Sequence, residues 1–194
     1  MGRDKIKIDY DSEHHLYFMN GNLVHSVTEI TGCLHNFGDI PKQKLEAAAK
    51  KGTAVHTAIQ YYLENDLDEN TLDEVIKPYL ESFKQWYSYS NMKPVKLEMI
   101  VGSLKLQYAG RFDCLMKDKA NNLIIVDWKT GIKTKSHSAQ GAGYCIAYEE
   151  MKRKSGIKSA TLYLKPTGFE FIENDTISSK LEFLNALKIC RERY

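Results

Sequence analysis

The sequence has little of what marks disordered, fibrous or membrane-embedded proteins. Its 194 residues include only 4 Pro and 12 Gly, against 43% apolar and 27% charged residues, which excludes a disordered or collagen-like chain. No apolar run approaches the roughly 20 residues that cross a bilayer, and the first residues lack the apolar core of a signal peptide. We therefore expect a globular protein that stays in the cytoplasm and has no membrane partner.

Cysteine is also sparse, and its spacing excludes a disulfide-stapled scaffold. The four cysteines form no CxxC pair and are widely separated: Cys33, Cys114, Cys145 and Cys190. We expect them to be reduced and buried. The length fits one domain with appendages, since domains average about 150 residues.

Charge is balanced overall but not along the chain. A net charge of +2 argues neither for nor against a nucleic-acid partner. Residues 61–83 contain seven acids against one base, whereas residues 129–165 contain eight bases against two acids. The second stretch is therefore a candidate surface for phosphate.

Apolar periodicity predicts an α/β chain. Asn20-Gly21 between apolar runs predicts a hairpin, and Ser26 with Glu29 forms a capping box that opens a short helix ending near Leu34. Strand 123–129 is apolar on both faces, so we expect it to be central, with helices on both sides. The other predicted helices are 42–64, 72–89 with a kink or break at Pro78, 138–152 and 176–193; the other predicted strands are 5–8, 95–101, 104–116 after a Gly102-Ser103 turn, and 160–164.

Carboxylates on neighbouring strands point to a divalent metal. Glu98 and Asp113 lie on the two strands of the long hairpin, and Asp127 and Lys129 share one side of the central strand, about 7 Å apart along it. Clustered carboxylates repel unless a cation separates them. Magnesium prefers such oxygen ligands and can activate water at a phosphodiester. Lys129 is then available to orient or deprotonate that water, or to neutralise the reacting phosphate.

Each motif alone also has an ordinary structural interpretation. Asp127 and Lys129 can be a solvated ion pair, and His56 can be a core histidine. The Gly110–Asp113 run can be a turn or bulge, and Gln140 with Tyr144 can be a helix surface pair. The order of the motifs along the chain decides between these interpretations.

That order resembles the PD-(D/E)XK nuclease superfamily, specifically its RecB-type exonuclease branch, and the amino-terminal stretches 15–21 and 26–30 resemble phage-encoded members. The motifs that carry the resemblance span roughly residues 45–150: Gly52-x-x-x-His56, Glu98, Gly110-x-x-Asp113, Asp127-x-Lys129 and Gln140-x-x-x-Tyr144. Phe112 stands where the superfamily's name places proline, a departure that is common in this branch. The cysteine quartet of iron–sulfur relatives is missing around Cys190, so we expect no cluster.

The resemblance implies a restriction-endonuclease-like core, with a central mixed β-sheet flanked by α-helices and, here, an N-terminal β-hairpin. It implies one domain over residues 1–194, divided into an N-terminal hairpin and short helix (1–40), a catalytic core (41–165) and a C-terminal helix (166–194). It also implies one or two Mg²⁺ or Mn²⁺ ions, since a histidine ligand suits manganese. The implied metal ligands are His56, Asp113, Asp127 and the Trp128 carbonyl; the catalytic residues are Lys129, Asp127, Asp113 and Glu98; the DNA contacts are Gln140, Tyr144, Arg111 and Thr130.

The predicted function is a metal-dependent exonuclease that acts on single-stranded or duplex DNA ends in recombination, repair or phage DNA processing. A recombination or replication protein is an expected partner, and the cytoplasm of a bacterial or archaeal host is the expected location if the chain is phage-encoded. A structure-specific or flap endonuclease, a catalytically silent DNA-end-binding module and an ordinary interaction protein remain alternatives. Cleavage polarity, strand preference, oligomeric state, pathway and RNA activity stay open.

Overall fold

The computed structural model describes residues 7–34 and 41–193. Among these residues, no helix is long and apolar enough to span a membrane. A short 3₁₀ helix covers Glu69–Thr71. The strands are β1 (Ile8–Asp11), β2 (Leu16–Met19), β3 (Asn22–Ser26), β4 (Lys93–Ser103), β5 (Tyr108–Lys117), β6 (Leu123–Lys129), β7 (Lys158–Lys165) and β8 (Gly168–Glu173); the α-helices are α1 (Val27–Gly32), α2 (Lys42–Glu64), α3 (Lys77–Ser90), α4 (Lys135–Lys152) and α5 (Thr176–Arg193).

The strands form one mixed sheet of eight strands. Its order is β1-β2-β3-β5-β6-β7-β8, and β4 pairs with the other edge of β5. The β3–β5 and β6–β7 pairs are parallel, and the others are antiparallel. The predicted N-terminal hairpin is β2–β3, where Asn20 and Gly21 both take the positive φ that a type I′ turn requires, 50° and 83°. The predicted mixed sheet flanked by helices is confirmed.

Helices cover both faces of the sheet, and β6 lies in its middle as predicted. Ile125 packs into the apolar cluster that includes residues of α1, α4 and α5. Ile124, Val126 and Trp128 pack on the opposite side, into the cluster of α2 and α3. The alternation along β6 therefore separates the two cores. It also leaves Asp127 and Lys129 on the side of Ile125.

Several predicted boundaries hold and others are wrong. The predicted bounds of α2, β6 and α5 match the structure, and the Ser26 capping box is present. The helix predicted from residue 72 begins at Lys77, because Pro78 fits only its first turn. Gly102 and Ser103 extend β4 and the turn lies at residues 104–107, so the predicted turn was wrong. The sequence pattern also missed β8, and residues 5 and 6 of the first predicted strand lie outside the described residues.

Candidate active site

The two aspartates of the motif lie where β5 and β6 separate. β4 pairs along nearly all of β5, so β3 and β6 share the other edge of β5, at residues 108–109 and 114–117 respectively. Between these stretches no strand in the described part of the chain pairs with that edge. β6 leaves β5 after Val126. Asp113 and Asp127 are the residues that border this gap, and sheet geometry therefore brings their carboxylates together.

Asp113 is held by two hydrogen bonds. Its Oδ1 lies 3.1 Å from Nδ1 of His56 on α2, and its Oδ2 accepts a 2.7 Å hydrogen bond from the backbone N–H of Trp128. That N–H is available because β6 no longer pairs with β5 at this point. Burial alone would raise the pKa of Asp113, but His56, Lys129 and the Trp128 N–H outweigh it, so the pKa is lowered. Asp113 is therefore a fixed carboxylate.

Asp127 has the opposite environment. Nζ of Lys129 lies 2.5 Å from its Oδ2 in an ion pair, and no other group among the described residues donates a hydrogen bond to this buried oxygen. Burial and the charge of Asp113 raise the pKa of Asp127 to about 6, although Lys129 opposes the shift. Asp127 is thus a buried carboxylate whose charge is incompletely compensated.

Lys129 carries a positive charge in this environment. Burial favours its neutral form, but the neighbouring carboxylates of Asp127 and Asp113 outweigh burial and raise its pKa. The ammonium therefore suits charge stabilisation better than proton abstraction in the metal-free protein. The sequence left open whether Lys129 orients or deprotonates the water or neutralises the phosphate, and its raised pKa favours neutralisation.

Glu98 lies on β4, at the other edge of β5, near enough to Asp113 and His56 for their charges to act on it. The pairs Leu97–Cys114 and Met99–Phe112 place it across from Asp113, and its φ of 47° is unusual for a strand residue. Its Oε2 lies 2.8 Å from Nε of Arg111. Burial and the charge of Asp113 raise its pKa to about 7, despite the attraction of Arg111.

These side chains form a donor set that suits a divalent cation. Three carboxylates and one imidazole converge, and the orphaned Asp127 Oδ2 is the kind of atom that a cation would satisfy. As a group, His56, Asp113 and Asp127 do not close to within 4.8 Å in the described structure. Binding would therefore draw the ligands inward or include waters, which Mg²⁺ commonly retains. The described contacts do not test the Trp128 carbonyl.

A cleft of about 810 Å³ opens beside these residues, between α2, the segment after β6 and the end of β7. Four lysines and no acid line it: Lys51, Lys129, Lys133 and Lys165. Lys133 forms an ion pair with Glu170, and Lys51 donates to the Tyr79 hydroxyl at 3.0 Å. A concave wall of this composition favours an anionic ligand.

The four predicted DNA contacts fall in different places. Thr130 lines the cleft, and Arg111 is exposed but paired with Glu98. Gln140 and Tyr144 are buried, and the Gln140 side-chain amide donates to the Tyr144 hydroxyl at 2.9 Å. Tyr144 is only 2% exposed, and its contact with DNA stays a prediction.

Most of the cleft wall lies outside the predicted site residues. No motif includes Lys51, His137 or Tyr163, and Lys133 and Lys165 contribute only to the charge of the basic stretch 129–165. That charge excess was the available signal for Lys133 and Lys165. Lys51 could have been found because it precedes Gly52 of the first motif.

Comparison with known families and structures identifies the superfamily and the fold. A family model described as the PD-(D/E)XK nuclease superfamily matches residues 9–188. A crystal structure of a candidate exonuclease from Eubacterium rectale is similar with a TM-score of 0.57 and 13% identity, covering 88% of this chain and 79% of that one. At that identity the likeness concerns the fold alone.

The crystal structure of SSO0001 also matches, at 13% identity over 84% of this chain and 75% of that one. Its TM-score of 0.38 is too low to support an argument. No curated protein matches the sequence.

Proposed function

The chain belongs to the PD-(D/E)XK nuclease superfamily, and on that premise we propose that it is a Mg²⁺- or Mn²⁺-dependent deoxyribonuclease that hydrolyses phosphodiester bonds from DNA ends. Nucleases of this superfamily generally use divalent metal ions such as Mg²⁺. We place the chain in the RecB-type exonuclease branch of the superfamily and treat residues 1–194 as one nuclease domain. The similar Eubacterium rectale protein is itself described as a candidate exonuclease.

One observation carries the proposal. Among the described residues the buried Asp127 Oδ2 has only the Lys129 ammonium beside it, the pKa of Asp127 is still raised to about 6, and the residue lies beside a cleft whose wall has four lysines and no acid. A buried carboxylate whose charge is only partly compensated is costly, so selection for stability alone does not account for it. A divalent cation at the carboxylates and a phosphodiester in the cleft would satisfy both features.

In the proposed site, His56, Asp113, Asp127 and the Trp128 carbonyl hold the metal. When bound, the ion supplies a water of lowered pKa and stabilises negative charge on the phosphate. Asp113 is already oriented by His56 and by the Trp128 N–H, so one ligand is fixed before the ion arrives.

The remaining residues bind, orient and neutralise. Lys129 lines the cleft as a cation, and its ammonium is placed to neutralise charge that develops on the phosphate. Glu98, held by Arg111, supports the site from β4 through water or a second ion. Gln140 and Tyr144 act as positioning residues behind Asp127, since both are buried.

The test uses linear and covalently closed circular DNA. Purified protein is incubated with 5′- and 3′-labelled single- and double-stranded DNA and with the circle, in Mg²⁺, Mn²⁺ or EDTA. Lys129→Met, which keeps an unbranched side chain but removes the charge, runs in parallel. Lys188→Met on α5 is the matched control, because its exposed lysine lies outside the site.

Metal-dependent loss of linear DNA with the circle intact supports the proposal, provided that Lys129→Met loses the activity and Lys188→Met keeps it. Cutting of the circle would replace it with an endonuclease. Binding of DNA ends without cleavage under every condition would replace it with a silent end-binding module.

A further inference from the structure

A second group of metal-ligating side chains lies outside the candidate active site. Ligand atoms of His25, Glu29 and Cys190 lie within 4.8 Å of one another, and they form the only such group found in residues 7–34 and 41–193. His25 lies one residue before the end of β3, Glu29 lies on α1, which follows directly, and Cys190 lies near the end of α5. The last helix therefore meets the β3–α1 junction at one point.

Cys33 lies beside this group and is the candidate fourth donor, but it falls outside the 4.8 Å limit that the other three satisfy, so its side chain would have to turn inward to bind an ion. It caps the C-terminus of α1, its Sγ lies 3.7 Å from the Glu29 carbonyl oxygen, and its thiol is near enough to Cys190 to help raise the pKa of Cys190. His25, Glu29 and Cys33 are spaced four residues apart, which stacks them along one side of α1 and its N-terminal flank. The set is one imidazole, one carboxylate and two thiols.

The present contacts leave room for an ion after a small adjustment. His25 Nδ1 and Glu29 Oε1 share a proton at 2.8 Å, while Glu29 Oε2 keeps the capping bond from the Ser26 N–H. Two ligands of a tetrahedral zinc with bonds near 2.0 Å lie about 3.3 Å apart. Replacing the shared proton with Zn²⁺ thus requires His25 and Glu29 to separate by roughly half an ångström.

We propose that His25, Glu29, Cys33 and Cys190 bind one structural Zn²⁺ ion. Thiolate and imidazole donors select zinc over the hard ion Mg²⁺, which is the reverse of the preference expected at Asp113 and Asp127. Four protein ligands close the shell and leave no position for substrate, so the site is structural. The thiols and the histidine release their protons to solvent as the ion binds.

The ion would tie the N-terminal part of the fold to its last helix. Cys190 is fully buried, whereas Glu29 is half-exposed, so an ion can enter from the Glu29 side. Other residues of α1 face the candidate active site: the Gln140 amide lies 3.4 Å from the Thr28 hydroxyl, and Val27 packs over Gly110. Fixing α1 therefore fixes the surroundings of Gln140 and Tyr144.

The test compares two buried helical cysteines. Cys190→Ala removes a proposed ligand, and Cys145→Ala removes a buried thiol on α4 that lies outside the cluster. Each protein is stripped with a chelator and titrated with Co²⁺ in excess Mg²⁺. Only thiolate ligands give a sulfur-to-cobalt charge-transfer band, so cobalt at the carboxylates of the candidate active site does not contribute to it.

In the wild type and in Cys145→Ala we expect one Co²⁺ per chain to give the charge-transfer band, and one equivalent of Zn²⁺ to displace it. In Cys190→Ala we expect no band. Zinc should also raise the unfolding midpoint of the first two proteins and leave that of Cys190→Ala unchanged. Three results would each overturn the proposal. They are absence of the band in folded wild type, a Cys33–Cys190 disulfide in reducing buffer, and iron with acid-labile sulfide in the purified protein. None of these outcomes depends on nuclease activity.

Discussion

The two aspartates of the candidate active site should respond oppositely to the same substitution. In EDTA at pH 8, Asp127→Asn should raise the free energy of unfolding and Asp113→Asn should lower it. Both variants should lose cleavage, because both remove a proposed metal ligand. The contrast tests whether the electrostatics of the site have been assigned correctly, independently of any substrate.

The magnitude for Asp127 follows from its raised pKa. A shift from 3.8 to about 6 corresponds to about 3 kcal/mol that disfavours the folded, ionised form. This shift already includes the attraction of Lys129, which asparagine gives up, so we expect a gain of up to about 3 kcal/mol. The penalty is absent below the unfolded pKa near 4 and complete above about pH 6, so the gain should vanish at pH 4.

The magnitude for Asp113 follows from its two hydrogen bonds. Asparagine keeps one acceptor oxygen and loses the charge that strengthens the bonds from His56 and the Trp128 N–H, which costs about 2 kcal/mol. The folded pKa of Asp113 is lowered, so its contribution is present above the unfolded pKa and is lost only as pH falls through the folded value. Part of the destabilisation should therefore remain at pH 4.

Urea unfolding followed by circular dichroism at pH 8 and pH 4, in EDTA and then in Mg²⁺, measures these differences. Mg²⁺ should stabilise the wild type by mass action and should stabilise neither variant appreciably. If Asp127→Asn is destabilised at pH 8 as much as Asp113→Asn, Lys129 compensates Asp127 fully. That result would refute the inference that Asp127 needs a divalent cation to balance its charge.

Three further predictions concern packing, substrate binding and the first helix. Gly110→Ala places a Cβ about 2.9 Å from the Tyr144 ring, so it should lower the free energy of unfolding by about 1–3 kcal/mol in urea; an unchanged midpoint would contradict this close approach. Lys165→Ala should reduce the slope of log affinity for DNA against log salt by about 0.7–0.9, with Lys188→Ala as the control that keeps the wild-type slope; equal slopes would exclude Lys165 from the DNA path. Ser26→Ala removes the oxygen that caps α1 at 2.9 Å, which should cost about 1 kcal/mol in thermal or urea unfolding, and a neutral result would mean that solvent replaces the cap.

Much of the site was readable in sequence because its residues occupy regular elements. Asp127 and Lys129 fall two apart on a strand, and that spacing alone places them on one side of the sheet. Such spacings can be read from the sequence because they depend only on how side-chain direction repeats along a strand or helix.

The turn and helix starts that sequence reasoning misplaced depend on competing local signals. Gly102-Ser103 has turn composition, yet both residues pair in register with Ala109 and Tyr108, because the β4–β5 ladder continues past them. Pro78 lies within an apolar stripe that begins at Leu72, and the stripe suggested one continuous helix. The missing proline N–H decides the start of α3 instead.

The sequence by itself determined the element types, the central strand and the order of the motifs, because periodicity, capping and turn chemistry are local. Only the tertiary structure decided that Asp113 is compensated while Asp127 is compensated only in part, that Tyr144 is buried, and that Cys190 meets His25 and Glu29. These properties depend on where β6 leaves β5 and on how α1 packs against α5. Both are contacts between residues far apart in the chain, and no local pattern encodes them.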